Sequence, residues 1–125
     1  MLSDKKILLI EDEDFLIFPL RIAFERESLK MYVAKDGIEG FARAKKDLPD
    51  LIILDLILPK RSGFDVLDDL KRDPLTKKIP VIILSNLARE DDIKRGLAGG
   101  AVEYMVKTDF SITSLMSRMH ELLKG

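Results

Sequence analysis

Between Leu51 and Pro59 the chain reads Leu-Ile-Ile-Leu-Asp-Leu-Ile-Leu-Pro, and Asp55 is the one polar residue in that run. A continuous Ile/Leu stretch, with Pro49-Asp50 before it and Pro59 closing it, predicts a strand buried on both faces. A carboxylate in the middle of such a strand would be costly or would shed its charge. At the strand's carboxyl end, where the backbone leaves the sheet and a crevice opens, it can stay ionised and reachable. The alternative is a carboxylate that only caps the Pro59 turn.

The rest of the chain alternates strand and helix. Ile7 to Ile10 is a short apolar run, a first strand. Phe15 to Glu27 comes next, with Phe15, Leu16, Phe18, Ile22 and Ala23 as a helical stripe and an acidic start that suits the helix dipole. Pro19 inside it predicts a kink or a later start. Lys30 to Ala34 is a weak strand, and Asp36 caps a helix from Gly37 to Lys46 with Ile38, Phe41 and Ala42 inward. Ser62 caps a third helix with Phe64, Leu67 and Leu70 inward, closing near Asp73-Pro74.

Ile79 to Leu84 is a second fully buried strand. From Leu87 to Leu97 the period is helical, yet the apolar face is only Leu87, Ile93 and Leu97. Such a thinly anchored helix is expected to move most easily. Ala101 to Val106 is the fifth strand, and Ile112, Leu115, Met116, Met119, Leu122 and Leu123 form the stripe of a last helix. Five strands alternating with five helices predict a doubly wound α/β fold, a parallel sheet covered on both faces by right-handed crossovers. The expected organisation is a single domain over residues 1–125, standing alone, since no linker or output domain comes after the last helix.

Composition narrows the function classes. The formal net charge of -1 gives no global pull toward nucleic acid, so no direct nucleic-acid partner is expected. There is no cysteine, which removes disulfides and thiolate metal sites. No signal peptide and no apolar run long enough to span a bilayer is present, so a cytoplasmic protein with no membrane partner is expected.

In a doubly wound sheet the loops at the strand carboxyl ends lie side by side. The residues at the strand exits therefore assemble a site: Glu11, Asp12, Glu13 and Asp14 after the first, Asp55 at the third, Ser85-Asn86 after the fourth, Lys107-Thr108 after the fifth. Carboxylates converging from different strands repel one another unless a cation lies between them. Oxygen donors suit a hard divalent ion, Mg²⁺ first. The cation and Lys107 would stabilise a phosphoryl group, Ser85 would add a hydroxyl donor, and Asp55 is the placed nucleophile. Taken singly, Glu11 to Asp14 could serve only the helix N-terminus, and Lys107 and Ser85 could be ordinary surface residues. Their conjunction at successive strand exits is what points to a phosphoryl site.

Four segments, Ile-Glu-Asp-Glu-Asp, Ile-Leu-Asp-Leu-Ile-Leu-Pro, Ile-Leu-Ser-Asn and Tyr-Met-Val-Lys, resemble the signatures of response-regulator receiver domains. The resemblance covers the whole chain. It implies a flavodoxin-like receiver fold with strand order 2-1-3-4-5, an order carried over from the family. It further implies that Asp55 accepts a phosphoryl group, that Asp12 and Asp55 ligate Mg²⁺ with the Ile57 backbone carbonyl, and that Glu11 acts through water. Lys107 would pair with the phosphoryl oxygens, Ser85 would move inward to them, and Tyr104 would turn inward with it, changing the surface of the fourth helix, fifth strand and fifth helix. Implied partners are a histidine kinase or phosphotransfer protein upstream and an unidentified protein downstream, with a monomer or weak dimer as the assembly. Activity would be limited to self-phosphorylation and slow self-dephosphorylation.

Three positions depart from the family pattern. Thr108 stands where proline usually comes after the lysine, and a cis bond there is not expected, since without proline it costs about 2.5–4 kcal/mol. Asn86 replaces a smaller residue and crowds the approach to Asp55. Ile57 and Leu87 would flank the phosphoryl group with apolar side chains and hinder the attacking water. Two other readings stand beside the switch. One is a receiver-fold interaction module that is never phosphorylated. The other is an aspartate-nucleophile phosphatase, which would need a second acid where Ile57 stands.

Overall fold

The computed structural model describes residues 3–124. Ten elements alternate along the chain: β1 (Lys6–Ile10), α1 (Asp14–Arg26), β2 (Lys30–Ala34), α2 (Gly37–Asp47), β3 (Leu51–Leu54), α3 (Gly63–Arg72), β4 (Val81–Ser85), α4 (Glu90–Ala98), β5 (Glu103–Val106) and α5 (Ile112–Leu123). The strands form one sheet in the order β2-β1-β3-β4-β5, and every pairing is parallel.

Because successive strand side chains alternate between faces, the central strands divide their apolar residues between two cores. Ile7, Leu9, Leu51, Ile53, Ile82 and Leu84 pack under α1 and α5, against Leu16, Leu20, Phe24, Leu115 and Met119. Leu8, Ile10, Ile52, Leu54, Val81 and Ile83 pack on the opposite face, against Ala44, Val66, Leu67 and Leu70. The run around Asp55 is strand only through Leu54, so the carboxylate stands just past the sheet's edge, its amide still donating to the Ile10 carbonyl at 3.0 Å.

Two helices bury faces other than those the apolar spacing predicts. In α1 the buried set is Leu16, Ile17, Leu20 and Phe24, while Phe15, Phe18 and Ile22 are 71%, 69% and 51% exposed. The stripe through Leu16, Leu20 and Phe24 keeps a spacing of four and wins because it leads to the buried Phe24. Pro19 neither delays nor splits α1: the helix runs from Asp14 to Arg26 with Pro19 on its exposed side. In α2 the buried residues are Gly37, Gly40 and Ala44, Phe41 is half-buried, and Ile38 and Ala42 are exposed. A Cβ on Gly40 would lie 2.8 Å from the Ile10 side chain, so α2 approaches the sheet on its smallest residues. The Asp36 and Ser62 side chains cap α2 and α3 as their positions predict, accepting from the amides of Glu39 and Asp65.

The fourth helix begins at Glu90, three residues later than the apolar pattern starts, and Gly96 is its only fully buried residue. A Cβ there would meet Ile83 at 2.6 Å and the Tyr104 ring at 3.0 Å. This helix rests on the sheet through a glycine, which is why its apolar face is thin.

Candidate functional site: an acidic cleft around one lysine

Strand ends position the site. After β1 the Glu11 amide donates to the Ala34 carbonyl at 2.9 Å, and the Glu11 side chain, 1% exposed, is held by the Glu13 amide on its Oε2 at 3.0 Å. Asp55, 3% exposed, has its Oδ1 fixed by the amides of Leu56 at 2.7 Å and Ile57 at 3.3 Å. Gly63 makes this turn possible, since a Cβ there would lie 2.1 Å from the Asp55 carbonyl oxygen. Lys107 leaves β5 with its amide on the Ser85 carbonyl at 2.8 Å, which aims its side chain across the sheet's edge.

The Lys107 ammonium meets three carboxylates: Glu13 Oε1 at 2.7 Å, Glu11 Oε1 at 2.9 Å and Asp55 Oδ2 at 3.0 Å. Burial works against its charge, but its interactions with the accepting carboxylates of Glu13, Glu11 and Asp55 outweigh that and hold its pKa well above the usual lysine range. Glu11 moves the other way. Burial pushes its carboxyl up, the Lys107 hydrogen bond pulls it down, and the neighbouring Asp55 charge pushes it up again; the net shift is upward.

Glu11, Asp12, Glu13 and Asp55 can each place one carboxylate oxygen so that all lie within 4.8 Å of one another. Four carboxylates against one ammonium leave a large excess of negative charge. The donors are all hard oxygens, and exposed Asp12 opens the group to solvent, so the set fits a divalent ion that retains water, as Mg²⁺ does. The cleft of about 340 Å³ over this group is lined by Asp12, Glu13, Asp55, Ile57, Asn86 and Lys107.

The sequence-predicted residues are not all gathered there. Ser85 is fully buried at the end of β4, and its Oγ accepts from the Leu87 amide at 3.3 Å, within its own loop. Tyr104, half-buried, donates its hydroxyl to the Leu87 carbonyl at 2.6 Å. Ile57 and Asn86 do line the cleft, whereas Leu87 is not among its lining residues and packs, half-buried, against the core that α2 and α3 cover. No cis peptide bond occurs among the described residues, so the Lys107-Thr108 bond is trans. Glu13 is the cleft residue to which the sequence pattern assigns no role of its own. Its backbone is extended, with φ -92° and ψ 111°, and on extended backbone residues two apart share a side, so Glu13 faces the same way as Glu11.

The match to the response regulator receiver domain spans residues 7–120, and the chain belongs to that family. It is 39% identical over 119 residues to the phosphate regulon transcriptional regulatory protein PhoB of Rhizobium meliloti, covering 95% of this chain and 52% of that protein. The chain spans about half the length of the curated relatives it matches. The receiver domain of the Francisella response regulator 1452 superposes with a TM-score of 0.88 at 30% identity, covering 97% of this chain and 98% of that one. The Mn²⁺-bound form of response regulator Rcp1 superposes with a TM-score of 0.80 at 27% identity, covering 94% and 91%. Receiver domains as a family bind Mg²⁺ in their active site, are phosphorylated by histidine kinases or phosphotransfer proteins, and act as signalling switches. Among the described residues no helix is long and apolar enough to cross a membrane.

Proposed function

We propose that residues 1–125 act as one phosphoacceptor switch in which Asp55 takes the phosphoryl group. The observation that carries this is the Lys107 ammonium held at 3.0 Å from Asp55 Oδ2 inside a cleft with three further carboxylates. A carboxylate fixed by two backbone amides and reachable from solvent is a placed nucleophile. Its oxygen attacks phosphorus while the imidazole or carboxylate of the donor leaves. Asp12 and Asp55, with the Ile57 carbonyl and with Glu11 through water, would hold Mg²⁺. When bound, the ion neutralises charge building on the transferred phosphoryl oxygens. Lys107 supplies a second positive charge to the same oxygens and needs no proton transfer, since it is firmly protonated.

The readout of the switch runs through the Leu87 backbone. Ser85 holds the Leu87 amide and Tyr104 holds the Leu87 carbonyl. If the Ser85 hydroxyl moves to the phosphoryl oxygens, the Leu87 amide is released, and the Tyr104 anchor shifts with the loop. The fourth helix, resting through Gly96 on the Tyr104 ring, then changes its pose. This is a two-state element biased by a local charge event. A protein partner reading the α4-β5-α5 face is the proposed output of this domain, supported by its thin anchoring. The net charge of -1 favours protein over nucleic acid as what the domain itself touches.

The direct test is incubation with acetyl phosphate and Mg²⁺, followed by borohydride reduction and peptide mapping. Reduction of an aspartyl phosphate to homoserine at position 55 is the expected result. Phosphate at another residue contradicts the assignment to Asp55, and no phosphate at all leaves an unphosphorylated interaction module as the reading.

A further inference from the structure

The Lys107 ammonium donates to Glu13 at 2.7 Å and to Asp55 at 3.0 Å, and it is ion-paired with Glu11 at 2.9 Å, so three carboxylates crowd the cation that an arriving phosphoryl oxygen needs. Of the three partners only one can leave. Glu11 is fully buried and tied by the Glu13 amide, and Asp55 is pinned by the amides of Leu56 and Ile57. The Glu13 side chain is 35% exposed and, among the described residues, receives no hydrogen bond other than the one from Lys107.

Glu13 is also the residue that opens α1, at the position where a short polar side chain normally accepts from the helix's own amides. It makes no such bond. Its carboxylate is committed to Lys107 instead, and α1 starts uncapped. In α2, α3 and α5 the Asp36, Ser62 and Ser111 side chains all cap.

We propose that Glu13 is a built-in anionic gate: it occupies Lys107 in the resting domain, and a phosphoryl group must displace it to gain the lysine. This rests on the phosphoacceptor reading and sets how readily the site accepts a phosphoryl group. Glu13 acts through Lys107 and touches no reacting atom, so it is a positioning residue. Swinging away, it carries a negative charge out of the cleft as the phosphoryl charge comes in.

Two variants separate gating from charge. Glu13→Gln removes the charge. Glu13→Asp keeps it but is one methylene shorter, draws back from Lys107, and supplies the cap that α1 lacks, so folding is preserved. The measurements on both are the affinity for beryllofluoride, a phosphoryl mimic that does not react onward, the rate of phosphoryl uptake from acetyl phosphate, and the Mg²⁺ affinity by calorimetry. Gating predicts that both variants bind beryllofluoride more tightly and take up phosphoryl faster by roughly three- to tenfold, the worth of one partly exposed charge-assisted hydrogen bond. Glu13→Asp keeps the charge of the acidic cluster, so a direct role of Glu13 in holding the ion would show as lost Mg²⁺ affinity. If only Glu13→Gln gains, the effect is bulk charge and the gate is refuted. If Glu13→Asp loses Mg²⁺ affinity, Glu13 belongs to the metal and the gate is refuted as well. If the wild-type chain itself takes up no phosphoryl group, the phosphoacceptor reading fails, an outcome distinct from wild type and variants reacting alike, which refutes the gate alone.

Discussion

The Tyr104 hydroxyl donates to the Leu87 carbonyl at 2.6 Å, while the Leu87 amide donates to Ser85 Oγ at 3.3 Å. One residue's backbone thus joins the buried hydroxyl at the end of β4 to the aromatic ring under α4. Burial, with the nearby charges of Asp92 and Asp55, pushes the Tyr104 phenol up from 10.0 to about 12. With the folded pKa raised, the stability this group contributes is complete below pH 10.0, the unfolded value, and is lost as pH rises through about 12. Tyr104→Phe should abolish that alkaline loss and, at neutral pH, cost about 1 kcal/mol for the missing hydrogen bond. Urea unfolding at a series of pH values, beside a phenolate absorbance titration, measures both.

Gly96→Ala tests the contact between α4 and the sheet. The added methyl would sit 2.6 Å from Ile83 and 3.0 Å from the Tyr104 ring, so α4 must lift or the ring must turn. Overpacking of this kind costs about 1–3 kcal/mol, offset by about 1 kcal/mol from better helix propensity. A net loss of about 1 kcal/mol is expected, read as a lower urea midpoint at unchanged slope. Line broadening or shifts in α4 amides should accompany it; a stabilised variant would mean that α4 does not bear on Tyr104.

Glu11→Gln separates the metal-free from the metal-bound state. The Glu11 carboxyl is pushed above its usual 4.5, first by burial and then by Asp55 against the pull of Lys107, so its stability contribution is complete below pH 4.5 and declines as the group ionises. Without Mg²⁺ the variant should therefore gain on the wild type as pH rises from 4.5 toward neutrality. With saturating Mg²⁺ the order should reverse, because the wild type gains more from binding. Thermal unfolding with and without the ion, across pH, checks the crossing.

Ile57 is 57% exposed and lines the cleft beside Asn86. An apolar side chain there cannot orient a water for attack on an aspartyl phosphate. Ile57→Asn should shorten the phosphorylated lifetime by roughly tenfold, equivalent to about 1.4 kcal/mol off the barrier. The decay of labelled phosphoprotein measures it. Leu87→Asn should do less, since Leu87 is half-buried against the core and does not line the cleft.

The sheet is legible because continuous Ile and Leu runs around Ile7, Leu51 and Val81 admit few structures other than doubly covered strands, and those runs fix where the acids and the lysine emerge. The helix faces are less legible. Hydrophobic spacing rewards large residues, yet Gly40, Ala44 and Gly96 make the close approaches, and Phe15 and Phe18 remain in solvent. In the cleft, the acids at strand ends could be found by topology alone. The pairing of Glu13 with Lys107 could not, because it depends on the extended turn before α1 and on a lysine 94 residues away in the chain. Likewise, nothing in the spacing of Ser85, Leu87 and Tyr104 distinguishes a residue that faces the cleft from one that faces the core.

The most direct measurement is the intact mass of the wild-type chain and of Asp55→Ala after incubation with acetyl phosphate, each with and without Mg²⁺. The account predicts a single phosphoryl adduct in the wild type with Mg²⁺ and none in the other three samples. An adduct that survives Asp55→Ala, or one that forms equally well without the ion, would contradict it.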